Sequence, residues 1–323
     1  MSEVAGAIGL IGSVMTIWSF LFLGDQVPEV KAPSSNYRVT IGLDGFKDDN
    51  SNSLSNAGGS IDLVKVYNVN HELIGSAKGA SIDDGDDQYG DMAIEQRGNS
   101  QSAWTEFYSG KDAICIAAIS ATMDEGTKWG WTGDWSYMCG LDWFPSGYVM
   151  QNRDGDKTAS PRCTWIDKDH TNDIKAAAIG MNWGDLQAPK DGKPPSQDDA
   201  KKNCGDKMLA WPKDGGDQML PASNSKRSLV RRSQRSDNRL VVSALPSHNA
   251  TEVCESETSW GPDFVAKAEG FYCNMETHEA IPLCEGSTKT GCFDLDNPNG
   301  PAVVQRNGKR STREFSGVIK WGN

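Results

Sequence analysis

From Tyr37 onward the apolar residues return at every second position, and that spacing sets the class of fold. Tyr37, Val39, Ile41 and Leu43 alternate with Arg38, Thr40 and Gly42 before Asp44-Gly45 supplies a turn. Ile61–Ile74 is β-rich again and ends at Gly75. Trp104–Tyr108 and Ala113–Met123 read as two more strands, cut by Ser109-Gly110 and by Asp124-Glu125-Gly126. Gly147–Gln151, Cys163–Asp167 and Ile174–Trp183 continue the series, while Asp48–Ser60 and Asp83–Asp91 are polar loops. No stretch here carries a sustained 3.6-residue period. Short strands with frequent turn signals predict a mainly β protein whose body, residues 35–185, is an antiparallel β-sandwich-like domain.

After Trp183 the pattern breaks. Residues 186–240 are dense in Pro, Gly, Lys and Asp and read as a linker. This stretch holds a basic segment with the dibasic pairs Lys226-Arg227 and Arg231-Arg232, where an exposed loop would be open to proteolytic processing. A disulfide between the halves could then keep the two chains together. Residues 241–323 are expected to form a small α+β, cysteine-containing C-terminal unit. The eight cysteines (Cys115, Cys139, Cys163, Cys204, Cys254, Cys273, Cys284 and Cys292) form an even set with no C-x-x-C pair, which is compatible with disulfides. If they pair, the last four are expected to pair among themselves.

Residues 1–30 are dominated by the uncharged run Val4–Gly24. As a helix it would rise about 31 Å, enough to cross a hydrocarbon core. Glu3 before the run and Phe22 near the plausible cut fit a cleaved signal poorly. The expectation is therefore an N-terminal apolar helix, a membrane anchor or membrane-active segment. Ala5, Gly9 and Ser13 would line one face of it and Trp18 would anchor it. A buried helix is the alternative.

The chain has 44 acidic against 32 basic residues, a net charge of −12, which argues against nucleic acid as a partner. Phosphate loops, dinucleotide fingerprints and G-x-S-x-G elbows are absent, and His71-Glu72 and His278-Glu279 lack the second histidine of a zinc-protease motif. No cofactor is expected. Alternating oxygen ligands at Asp154 and Asp156, and at Asp167 and Asp169, pose a calcium question that β-turn chemistry answers equally well. Trp129, Trp131, Trp135 and Trp143 crowd one short region. They are either core or a face that stacks on a carbohydrate or protein ligand. Asp134 and Asp142 among them could serve as the paired carboxylates of a glycosidase.

The passages DAICIAAISATMDEGTKWGWTGDWSYMCG, CTWIDKDH and VVSALPSHNATEVCESETSWGPDFVAKAEGFYCNM, with VIKWG near the end, resemble a group of fungal secretory-type proteins of unassigned activity. That resemblance implies a secretory pathway, cell-surface or extracellular location, and the sequon Asn249-Ala250-Thr251 suits glycosylation there. MSEVAGAIGLIGSV resembles the first helix of HeLo-type fungal cell-death proteins, which would imply a cytoplasmic, membrane-associated, pore-forming effector. The leading expectation is a non-enzymatic protein that binds a carbohydrate or protein ligand through the Trp-rich region. The membrane-active effector and a wall-directed glycoside hydrolase are the alternatives.

Overall fold

The computed structural model describes residues 33–42, 57–83, 89–98, 100–151, 158–186, 201–220, 238–286, 291–298 and 314–322. It divides into two compact units. The first contains β1 (Ser34–Ile41), β2 (Gly59–Tyr67), β3 (Leu73–Ala77), β4 (Ser81–Ile82), β5 (Tyr89–Glu95), β6 (Trp104–Ser109) and β7 (Ile114–Thr122). It continues with β8 (Lys128–Thr132), the short helix α1 (Asp134–Met138), β9 (Trp143–Pro145), β10 (Met150–Gln151), β11 (Thr158–Ala159), β12 (Arg162–Ile166), β13 (Ala178–Asn182) and β14 (Met208–Trp211).

Two antiparallel sheets result. The first runs β5-β1-β7-β12-β9, with β8 also on β7; the second runs β14-β13-β6-β2-β3, with β4 on β2. Alternation along each strand decides which side chains turn inward. In the first sheet Val39 aligns with Ile119 and Trp131, and Tyr37 with Ala121 and Trp129. In the second, Val64, Phe107, Ile179 and Ala210 form one cross-strand row and Val66, Thr105, Met181 and Met208 the next. These inward rows share one hydrophobic core. A mainly β, antiparallel sandwich is therefore present. A buried polar link joins its sheets, for the Tyr37 hydroxyl lies 2.8 Å from Thr105 Oγ1, which also accepts from Trp183 Nε1 at 2.8 Å.

The sandwich reaches beyond residue 185. Part of the expected linker forms β14, an edge strand paired with β13, and Cys204 just before it is bonded to Cys139 beside α1. Four-residue MLAW lies in a Lys-, Pro- and Gly-rich setting, too short to show a period of its own.

The second unit holds β15 (Arg239–Ser243), α2 (Ala250–Glu255), β16 (Asp263–Ala266), β17 (Phe271–Asn274), β18 (Glu279–Pro282) and β19 (Gly317–Trp321). Its sheet runs β18-β17-β16-β15-β19, with β15 parallel to both β16 and β19. Such a parallel step needs a crossover, and α2 supplies it between β15 and β16. Every residue of β15 is buried, as a central strand covered on both faces requires. Tyr272 stacks on Phe293 at 4.0 Å within one core cluster. This is the expected α+β unit.

All eight cysteines are paired, Cys115–Cys163 and Cys139–Cys204 in the first unit, Cys254–Cys273 and Cys284–Cys292 in the second. The last four pair among themselves and the first four form the other two bridges, as expected, and none links the two units. Val4–Gly24, with Ala5, Gly9, Ser13 and Trp18, lies outside the described residues, as do Lys226, Arg227, Arg231 and Arg232. Among the described residues no helix is long and apolar enough to cross a membrane.

Candidate functional site

The tryptophans singled out from the sequence do not form a surface. Trp129 is 7 % exposed, Trp131 0 %, Trp135 2 % and Trp143 1 %, so all four fill the interior. The i, i+2 placement of Trp129 and Trp131 on β8 turns both toward the core, and their role as a ligand face is corrected on that ground. Trp143 meets Tyr137 edge-on at 4.9 Å, and the Arg162 guanidinium lies 4.0 Å from the Tyr137 ring centre.

The two aspartates are also interior. Asp134 accepts from Thr132 Oγ1 at 3.0 Å and from Arg162 Nη1 at 2.9 Å. Burial pushes its carboxyl up, against the pull of Arg162. Asp142 is 2 % exposed and accepts from the Lys175 backbone N–H. Both carboxylates are buried and engaged in local structure rather than presented as an exposed acid–base pair.

Asp167 accepts from the Asp169 backbone N–H and from the Thr171 hydroxyl, a turn arrangement that uses both its oxygens. Among the described residues no three His, Cys, Asp or Glu side chains gather as a metal would need, and Asp154 and Asp156 lie outside those residues. His71, His170 and His278 all sit at positive φ in turns, and His248 Nδ1 lies 2.7 Å from the Ser243 hydroxyl. Asn249 is exposed, and its Oδ1 caps α2 by accepting from the Glu252 N–H at 2.7 Å.

The outward face of the second sheet carries the feature that sequence reasoning missed. Outward residues align across the strands in three rows: Leu63, Tyr108, Ala178 and Trp211; Lys65, Glu106, Gly180 and Leu209; Tyr67, Trp104 and Asn182. Four aromatic rings thus surround one carboxylate. The corresponding face of the first sheet carries one exposed ring, Tyr89, 4.0 Å from the Arg38 guanidinium.

The local chemistry is tightly interlocked. Both phenols donate to one oxygen, Glu106 Oε2, Tyr67 at 2.9 Å and Tyr108 at 2.7 Å. Glu106 Oε1 takes no hydrogen bond from a described residue. Burial first, then the Glu106 charge and hydrogen bond, hold both phenols above the ordinary tyrosine range. Lys65 Nζ pairs with Asp214 at 2.6 Å and lies 4.8 Å from the Tyr108 ring centre. Tyr108 and Trp211 stack with centroids 6.4 Å apart and planes 22° from parallel. Gly180 makes this possible, since a Cβ there would stand 2.8 Å from the edge of the Trp211 ring. Tyr108 and Trp104 are buried, whereas Tyr67 and Trp211 stay half-exposed on either side of Glu106. Leu73, 48 % exposed, aligns with Tyr67 and continues the face on β3.

An i, i+2, i+4 signal for half of this patch (Trp104, Glu106, Tyr108) was present in the sequence. The other half comes from β2 and from an edge strand that only the sheet order brings alongside.

No family model and no curated protein matches the chain. Two crystal structures of lipoxygenase (LOX) variants are similar over 46 % of this chain and 16 % of theirs, at 11 % identity and TM-scores of 0.22 and 0.21. Likeness at that level carries no argument about fold or activity.

Proposed function

We propose that this chain is a non-enzymatic protein of the secretory pathway or cell surface that binds carbohydrate on the outward face of its second sheet. The observation that carries the reading is the half-exposed pair Tyr67 and Trp211 flanking Glu106. Aromatic faces stack on the C–H faces of sugar rings, and a fixed carboxylate between them orients hydroxyl groups. The pairing of all eight cysteines supports an oxidising compartment.

The test is co-sedimentation of the full-length protein with insoluble polysaccharides. Retention on at least one of them, lost in Trp211→Ala with thermal unfolding still cooperative, is the expected result. Equal retention of Trp211→Ala would remove this face from consideration.

A further inference from the structure

We infer that the ligand of this face is a neutral oligosaccharide, selected against acidic glycans, with Glu106 as the residue that sets the charge preference; the inference rests on the carbohydrate reading above. The charges of the patch carry it. The cation within the outward rows, Lys65, is already committed to Asp214 at 2.6 Å, so it has no free charge to offer a uronate or sulfate. Glu106 stands between the two half-exposed rings, and the Asp214 side chain is 54 % exposed. Lys65 against Glu106 and Asp214 leaves the patch one negative charge in excess, on a chain of net charge −12. A like charge brought onto such a surface is repelled, which works against an acidic partner.

Neutral hydroxyl groups meet the opposite situation. A hydroxyl both donates and accepts, and the patch offers one partner of each kind. Glu106 Oε1 is an acceptor with no described donor, because both phenols go to Oε2. Asn182 ends the row that begins at Tyr67, and its Oδ1 is taken by the Gly184 N–H at 3.1 Å, which leaves the amide's donor end for a ligand. Two half-exposed rings, one acceptor and one donor match a run of uncharged sugar units.

Calorimetric titration of the full-length protein with cellohexaose, xylohexaose and hexagalacturonate at low salt tests this. A neutral hexamer is expected to bind, with the acidic one weaker by about tenfold or more. Glu106→Gln and, separately, the surface change Asp214→Asn should each narrow that gap, the second by freeing Lys65 without touching the folded rows. Hexagalacturonate binding as tightly as the neutral hexamers, or a gap unchanged in both variants, would overturn the charge preference while sparing the carbohydrate reading. Failure of all three sugars to bind, with no retention on any polysaccharide, would overturn both.

Discussion

Thr105 Oγ1 holds together two buried groups, the Tyr37 hydroxyl of one sheet, which also lies 3.1 Å from Ser102 Oγ, and the indole N–H of Trp183, which has Thr105 as its partner. Thr105→Val keeps the shape and deletes the acceptor, so it should cost about 2–3 kcal/mol, read as a lower midpoint in urea unfolding. Tyr37→Phe, which removes one partner and leaves Thr105 bonded to Trp183, should cost about 1 kcal/mol. The phenols of Tyr67 and Tyr108 allow a second check. Their folded pKa values are raised by burial and by Glu106, so the stability they contribute is complete below an unfolded value of about 10 and is lost as pH rises through the folded values. In an alkaline absorbance titration, where burial also delays Tyr37 and Tyr148, Tyr67 and Tyr108 should therefore be among the late-ionising phenols. Glu106→Gln should bring them part of the way back, with the burial contribution remaining. Residue identity alone pointed to the wrong rings. A tryptophan is equally suited to core and to surface, and the i, i+2 spacing of Trp129 and Trp131 states only that they share a face.

At the level of elements, the candidate site depends on its weakest strand. β14 pairs on one side only, is four residues long, and carries Trp211. The Cys139–Cys204 bond ties the chain just before it to the segment after α1, closing a loop of sequence separation 65. Loop-closure entropy assigns such a bond about 4 kcal/mol. Cys204→Ser should lower the unfolding midpoint accordingly and weaken polysaccharide retention more than Cys115→Ser, whose bond joins β7 to β12 in the other sheet. Equal loss of retention in the two variants would show that β14 needs no such anchor. The long strands were legible because alternation over five or more residues is a strong local signal, as at Tyr37–Ile41 and Ile61–Tyr67, whereas the turn at Asn68–Glu72 that divides the predicted Ile61–Ile74 segment into β2 and β3 was not. β14 was not, since a short edge strand is stabilised by its neighbour and its disulfide rather than by its own pattern. The outward patch was illegible for a related reason: its rows cross β2, β6, β13 and β14, and register between distant strands is not written in any one of them.

For the molecule as a whole, covalent connectivity and the placement of charge give different expectations from those of the sequence. The sequence places the dibasic pairs Lys226-Arg227 and Arg231-Arg232 between the two units, and the structure places both disulfides of each unit inside it. Each unit also has its own core, one centred on the sandwich and one on Leu240, Val242, Val265 and Tyr272. Cutting at the basic pairs therefore leaves no disulfide to hold the resulting fragments together. Limited digestion of the purified 35.0 kDa protein with a dibasic endoprotease should separate the two units at these pairs on denaturing gels without reductant, whereas a piece cut at Lys201-Lys202 stays bonded through Cys139–Cys204 until it is reduced. Because Lys65, Tyr67, Glu106, Gly180, Asn182 and Trp211 all precede the cut, polysaccharide retention should follow the larger fragment after digestion. A single full-length band that divides only on reduction would mean a disulfide crosses the units, and the pairing described above would have to be redrawn. Retention by the smaller fragment would move the ligand face out of the sandwich altogether.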